Sequence, residues 1–171
     1  MSYQVYTLFD DLKKYRETDK KNQNENYFTE ILKWYLNNDS YFRDEVFKIL
    51  EIPTLIDVNF NSQFQLFNKN GFMDLFAETQ NEIIIIENKI GASVSEKQLR
   101  LYFNDTVERL SSKNCMKIIY MRLIAKDYTY LENEVISKLK NDGMPLTHTT
   151  WLELYENFQT NIDFTYKSSI I

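Results

Sequence analysis

Three of the charged residues in the most apolar part of the chain, residues 71–91, lie inside or at the end of its apolar runs. Asp74 lies inside one apolar run, and Glu87 and Lys89 end a second run that contains four consecutive isoleucines. Carboxylate oxygens suit Mg²⁺, which usually keeps several waters beside its protein ligands. Such an ion polarises a phosphate and lowers the pKa of a bound water, and a nearby lysine can orient that water. These residue types therefore point to metal-assisted hydrolysis of a phosphodiester.

The geometry of strands decides whether these residues can meet. Side chains alternate across a strand, so Glu87 and Lys89 should share one face while Asn88 points to the other. Residues 80–82 form a short turn, and pairing through that turn would let Asp74 and Glu87 converge on one cation. The main-chain carbonyl of Asn88 would be a third oxygen ligand. The competing interpretation is an ordinary ion pair at the end of a strand.

The rest of the chain predicts the elements that hold these residues. Apolar residues at helical spacing indicate helices over residues 3–21, 24–37, 41–50, 95–112, 128–140 and 151–158. Alternating or continuous apolar runs indicate strands over residues 55–68, 72–79, 83–86, 117–123 and 146–149. Asn70-Gly71 favours a tight turn, so residues 62–68 and 72–79 should form a hairpin. Four isoleucines in a row predict a strand that is buried on both faces. The order indicates an α/β fold.

The helix over residues 24–37 carries a carboxylate towards the core. Its apolar sector at 100° per residue contains Phe28, Ile31, Leu32, Tyr35 and Leu36. Glu25 lies about 50° from the middle of that sector, whereas Glu30 lies nearly opposite it. We therefore expect Glu30 to be solvated and Glu25 to lie at the edge of the core. There it either stabilises the start of the helix or belongs to a functional site.

Composition excludes several classes of protein. A net charge of −5 argues against a passive DNA-binding module but is compatible with carboxylates arranged around a cation. The only histidine is His148, for which we expect a structural role, so nuclease sites built on paired histidines and Cys/His zinc sites lack ligands. The only cysteine, Cys115, allows no internal disulfide, and no stretch resembles a signal peptide or membrane span. We expect a cytoplasmic protein with no membrane association.

These residues resemble the PD-(D/E)XK nuclease superfamily, whose members have the restriction-endonuclease-like fold. Asp74 and Glu87-Asn88-Lys89 match its core motif, and Met73 stands where that motif usually has proline. Gln98 and Tyr102 are similar to the Gln-x-x-x-Tyr motif of recombination-type members. Glu25 looks like the first-helix glutamate of some bacterial members. The resemblance covers about residues 24–123.

The resemblance implies a central mixed β-sheet flanked by helices in αβββαβ order, with extra N- and C-terminal helices. We expect a single domain over residues 1–171, with its core at about 24–123 and a C-terminal extension at 124–171. The implied catalytic residues are Asp74, Glu87, Lys89 and Glu25. The implied ligands of Mg²⁺ or Mn²⁺ are Asp74, Glu87, the Asn88 carbonyl and Glu25 through a water.

Gln98 and Tyr102 are expected to support the site or the substrate, and each has a competing role. Ser95-Glu96-Lys97-Gln98 is also a capping box, in which the Gln98 side chain would bond back to the Ser95 amide. Tyr102 also fits the apolar stripe of its helix as a core aromatic. The sequence alone leaves both alternatives open.

The resulting expectation is a Mg²⁺- or Mn²⁺-dependent deoxyribonuclease, an endonuclease of a bacterial defence, restriction or mobile-element system. Its expected partners are DNA, a second copy of the chain, and a further domain or partner protein, because the chain could be the N-terminal part of a longer one. The alternative is a non-catalytic module that uses the nuclease fold to bind nucleic acid or protein. A third possibility is an interaction protein that docks a partner on its aromatic surface.

Overall fold

The computed structural model describes residues 23–53, 58–67, 70–90 and 92–158. The helix expected over residues 3–21 and the patternless tail from residue 159 lie outside the described residues. No helix within the described ranges is both long enough and apolar enough to cross a membrane.

The described elements follow the predicted order. They are α1 (Gln23–Asn38), α2 (Ser40–Ile49), β1 (Asn61–Gln65), β2 (Phe72–Glu78), β3 (Glu82–Lys89), α3 (Glu96–Ser112), β4 (Ile118–Ala125), α4 (Tyr130–Asn141), β5 (Leu146–Thr150) and α5 (residues 151–158). The first strand is shorter than the alternating pattern suggested. Just before it, the Asn37 side chain bonds both backbone polar groups of Phe60, at 3.0 and 2.8 Å, in place of a neighbouring strand.

The five strands form one mixed sheet in the order β1-β2-β3-β4-β5. The first three are antiparallel, and the expected hairpin pairs Gln65 with Phe72. β3, β4 and β5 are parallel, so their carboxyl ends lie at the same edge. The α/β class with a central mixed sheet is thus confirmed.

Helices cover the sheet on both faces. The α1 face carries α1, α2 and α5, and the α3 face carries α3 and α4. The isoleucines of β3 alternate between the two, with Ile84 and Ile86 on the α1 face and Ile83 and Ile85 on the α3 face. All four are buried, which confirms the prediction of a central strand covered on both sides.

One prediction for α1 is wrong, because Glu30 is fully buried. Its carboxylate accepts a hydrogen bond from the Ser62 hydroxyl at 2.5 Å and pairs with Lys33 at 2.6 Å. The helical wheel assumed that α1 is covered on one side alone. β1, at the edge of the sheet, contacts α1 on a second side, and a polar pair there satisfies the carboxylate.

The apolar sector of α1 also lies at a different angle from the one expected. Phe28 and Tyr35 are exposed, although both belong to the predicted sector. The row that faces the sheet consists of Glu25, Thr29, Leu32 and Leu36. These four residues are spaced i, i+4, i+7 and i+11 and therefore share one side of a helix.

Candidate active site

β2 and β3 bring Asp74 and Glu87 together at the end of their ladder. Leu75 pairs with Ile86, so Asp74 and Glu87 form the next pair of positions outward. Asp74 Oδ2 accepts a hydrogen bond from the backbone N–H of Asn88 at 2.9 Å. The predicted meeting of these two carboxylates is therefore realised, and a backbone donor fixes the orientation of one of them.

Lys89 lies on the same face as Glu87, as strand alternation predicted. Its Nζ is 2.5 Å from Glu87 Oε1, and the lysine is 8% exposed. Burial alone lowers the pKa of Lys89, but the charges of Glu87 and Asp74 outweigh burial and raise it. Lys89 is consequently favoured as an ammonium group that donates to Glu87.

One carboxylate oxygen of Glu87 has no hydrogen-bond donor among the described residues. This oxygen is Oε2, which is buried. Burial first, and the neighbouring charge of Asp74 second, raise the pKa of Glu87 to about 8. Burial raises the pKa of Asp74 as well. Two carboxylates in mutual contact need a proton or a cation between them, so this oxygen pair fits a divalent ion.

The protein supplies few further ligands at this point. Within the described ranges, no group of three or more His, Cys, Asp or Glu side chains is arranged to hold a metal ion. A site here would consist of two carboxylates, a main-chain carbonyl and waters, which is the usual share for Mg²⁺.

α3 supports Glu87 through Gln98 and Tyr102. Gln98 Nε2 donates to Glu87 Oε1 at 2.8 Å and to Tyr102 Oη at 2.6 Å, and Tyr102 Oη donates to the Phe72 carbonyl at 2.7 Å. The capping box is only half formed. Ser95 Oγ accepts from the Gln98 N–H at 3.3 Å, while the Gln98 side chain turns towards Glu87. Tyr102 is buried, so it is a core aromatic and a link to the site at once.

Glu25 holds the segment that follows β3. Its Oε1 accepts from the backbone N–H groups of Ile90 and Ala92, both at 3.0 Å. Its charge also contributes to raising the pKa of Asp74. The structure therefore brings Glu25 near the carboxylate pair, with one oxygen bound to backbone donors. Its role as a ligand through water remains a prediction.

Comparison with known proteins assigns the chain to a superfamily. A sequence model of the PD-(D/E)XK nuclease superfamily matches residues 21–164, which is most of the chain. The chain belongs to the PD-(D/E)XK nuclease superfamily. Fourteen chains of solved structures also match. One is the small subunit (R.BspD6I2) of the heterodimeric restriction endonuclease R.BspD6I, at 21% identity over 84% of this chain and 70% of that chain, with a TM-score of 0.38. A search of curated proteins finds no match.

The sequence analysis did not identify two residues that contact the PD-(D/E)XK motif from the α1 face of the sheet. Asn88 points to the α1 face, where its Nδ2 donates to Thr29 Oγ1 at 3.1 Å. Its Oδ1 accepts from Trp151 Nε1 at 3.0 Å. Thr29 could have been found as the next residue after Glu25 in the buried row of α1. Trp151 could have been found because it follows β5, whose end lies at the same edge as the motif.

A cavity of about 270 Å³ opens beside the lysine of the motif. It lies between the ends of β3 and β4 and the start of α4, and its lining includes Lys89, Ser93, Lys126, Asp127, Thr129 and Glu132. This is the carboxyl edge of the parallel strands, the usual place for a ligand in a sheet of this kind. The lining has two cationic and two anionic side chains, so the cavity is polar without a strong net charge.

Proposed function

We propose that this member of the superfamily is a Mg²⁺- or Mn²⁺-dependent nuclease that hydrolyses phosphodiester bonds of DNA. One observation carries the proposal. The carboxylates of half-buried Asp74 and buried Glu87 lie in contact, Glu87 Oε2 has no donor among the described residues, and the Lys89 ammonium is beside them. A proton satisfies that pair only below the raised pKa of Glu87, whereas a divalent ion satisfies it at any higher pH.

Asp74, Glu87 and the main-chain carbonyl of Asn88 would hold the ion, with Glu25 acting through a water. When bound, the ion stabilises charge on the phosphate and lowers the pKa of a coordinated water. Asp74 is oriented for this by the Asn88 N–H, and Glu87 by Gln98. Partners of this kind beyond the ligands themselves commonly set the geometry of a metal site.

Lys89 would act as a fixed cation in the reaction. Its ammonium group would donate a hydrogen bond to the attacking water and stabilise the negative charge that develops on the phosphate. In this role Lys89 would keep its proton, and another base, such as solvent, would remove the proton of the water. The polar cavity beside Lys89 would receive the backbone of the substrate next to the scissile bond.

We further propose that the protein is an endonuclease of a bacterial defence, restriction or mobile-element system, and that it works in the cytoplasm as one domain. Membership of the superfamily supports this assignment. A second copy of the chain would place a second site on the other DNA strand.

The test is cleavage of supercoiled plasmid, linear DNA and RNA with Mg²⁺, with Mn²⁺ and with a chelator. We expect conversion of the plasmid to nicked and linear forms with either metal and none with the chelator. Asp74→Ala and Lys89→Ala should each lower the rate at least about 100-fold. The matched controls are Asp44→Ala and Lys97→Ala, which change exposed residues on α2 and α3 and should retain the wild-type rate.

Two outcomes would contradict the assignment. Cleavage that survives both Asp74→Ala and Lys89→Ala would place the active site elsewhere or reveal a contaminant. Binding of DNA by the wild-type protein without cleavage in either metal would instead favour the non-catalytic module.

A further inference from the structure

Asn88, the middle residue of the Glu87-Asn88-Lys89 motif, is a junction between the two faces of the sheet. Its backbone N–H holds Asp74 on the α3 face, while its side chain bonds Thr29 and Trp151 on the α1 face. The residue is fully buried, and both polar atoms of its amide have partners. A buried amide with two directed partners has one favourable orientation, because any rotation leaves a polar group unsatisfied.

The parallel half of the sheet brings Trp151 to this junction. Asn88 pairs with Ile124 of β4, and Ile124 pairs with Thr149 of β5, so the three residues lie in one row across the strands. Trp151 follows two residues later at the same edge. Its indole reaches from β5 past β4 to β3, two strand spacings of about 4.8 Å each.

The start of α5 fixes the position of Trp151. Thr150 Oγ1 accepts from the Glu153 N–H at 3.1 Å, and Glu153 Oε2 accepts from the Thr150 N–H at 2.7 Å. This reciprocal pair is a capping box, which holds the first turn of a helix. Glu153 Oε2 also accepts from Thr149 Oγ1 at 2.8 Å, which ties the cap to β5. The indole N–H therefore points at Asn88 from a rigid base.

We propose that Trp151 and Thr29 are positioning residues that act through Asn88 on the candidate active site, a role that rests on the proposed function. By fixing the Asn88 side chain they fix its backbone, whose N–H orients Asp74 and whose carbonyl is the third oxygen of the proposed metal site. The C-terminal extension then contributes to the geometry of the site, although it lies outside the part of the chain that contains the motif.

The test uses Trp151→Phe, which keeps an aromatic ring and removes the N–H, and Thr29→Val, which removes the hydroxyl at nearly constant volume. Trp34→Phe is the matched control, because Trp34 is the other tryptophan and its ring packs edge-on against Tyr35. Three quantities are measured for each: hydrogen exchange of the Asn88 amide, the Kd for Mn²⁺ by calorimetry, and kcat and KM for DNA cleavage.

We expect Trp151→Phe and Thr29→Val to accelerate exchange of the Asn88 amide relative to the amides of Ile84 and Ile86 on the same strand. Mn²⁺ affinity and kcat should each fall about 10- to 100-fold, with KM unchanged. This is the usual loss when a residue that hydrogen-bonds to a metal ligand is replaced. The double variant should lose little more than the worse single one, because both act through one side chain. Trp34→Phe should match wild type.

Unchanged exchange of the Asn88 amide and unchanged Mn²⁺ affinity in Trp151→Phe would overturn the proposal, even if that variant were less stable, since packing alone predicts only the loss of stability. Failure of the proposed function is recognised separately, as a wild-type protein that does not cleave DNA with metal. In that case the exchange measurement still decides: faster exchange supports the positioning role, and unchanged exchange refutes it.

Discussion

Glu87 is a carboxyl that the fold removes from water and sets against a second carboxyl. Burial first, and Asp74 second, raise its pKa from the ordinary value of 4.5 to about 8. Between those two values the folded state binds more protons than the unfolded state, so the free energy of unfolding falls as the pH rises. The metal-free protein should therefore lose stability over this window, and Asp74, whose pKa is also raised, contributes in the same direction.

Glu87→Gln tests this linkage. In urea unfolding with a chelator, the wild-type free energy should fall by a few kcal/mol between about pH 5 and about pH 9, and the variant should show a clearly smaller fall. The fall is compared rather than the absolute stability, because glutamine also changes the contact with Lys89. Glu134→Gln, on the exposed side of α4, should keep the wild-type fall. Equal falls in wild type and Glu87→Gln would show that Glu87 ionises normally.

The Tyr102 hydroxyl should matter more for cleavage than for stability. It accepts from Gln98, which orients Glu87, and it donates to the Phe72 carbonyl. Tyr102→Phe should lower kcat about tenfold and the free energy of unfolding by about 1 kcal/mol.

Tyr128→Phe is the control for that substitution, because the Tyr128 hydroxyl donates to two backbone carbonyls, those of Leu123 and Thr149. It should reduce stability by a similar amount and leave kcat unchanged. A Tyr102→Phe enzyme with the wild-type kcat would mean that Tyr102 is a core aromatic alone.

Residue spacing predicted part of this site and could not predict the rest. Strand alternation was sufficient to place Glu87 beside Lys89 and Asn88 on the opposite face. It could not choose between the two bonds open to Gln98, because the capping box is local whereas Glu87 is contributed by another element. The geometry of a helix alone does not predict which side chains of a neighbouring strand it will contact.

At the scale of elements, Arg122 of β4 joins three separate segments. Its guanidinium donates to the carbonyls of Leu50 and Glu51 at the end of α2, and to Pro145 before β5. Burial lowers the pKa of Arg122, although it does not discharge the group. The orphan carbonyls at the end of a helix are thus satisfied by a buried cation rather than by water.

Arg122→Met keeps the apolar stem and removes every donor, so it should lower the free energy of unfolding by about 3 kcal/mol. Urea denaturation measures this. Arg100→Met is the control, because Arg100 makes partly exposed ion pairs with Glu96 and Asp142, and its loss should be much smaller than that of Arg122→Met. Equal losses for the two variants would show that the helix end does not depend on Arg122.

α1 shows why the periodicity of one helix predicts less than the order of elements. Its existence and length followed from the pattern, but the wheel misjudged Glu30, Phe28 and Tyr35. The most hydrophobic sector of α1 faces the sheet only in part, through Leu32 and Leu36. The rest of the contacting row consists of the polar residues Glu25 and Thr29. Both make directed hydrogen bonds to the segment of β3 and its following turn, which offset the loss of hydration.

At the scale of the whole molecule, the order of elements was enough to predict the sheet. The chain contains a hairpin, a central isoleucine strand and two strand-helix-strand units. Few strand orders other than this mixed sheet are compatible with these connections. The contacts between distant segments were not predictable in this way. The bond from Trp151 to Asn88 depends on the parallel register of three strands, which no local pattern specifies.

The net charge of −5 has a consequence for the whole molecule, because DNA is also an anion. An acidic protein has little long-range attraction for DNA, and a divalent ion at the carboxylate pair would reverse the local charge. The proposed cleavage of DNA therefore requires that the metal binds at Asp74 and Glu87.

The most direct test of metal binding at Asp74 and Glu87 is a calorimetric titration of Mn²⁺ at about pH 8.5. It compares wild type, Asp74→Asn and Glu87→Gln, with Glu134→Gln as the control. We expect one Mn²⁺ site per chain in wild type and in the control, and no Mn²⁺ binding at that site in either carboxylate variant. Mn²⁺ binding that is unchanged in Asp74→Asn and Glu87→Gln, or that is missing in wild type, would contradict this expectation.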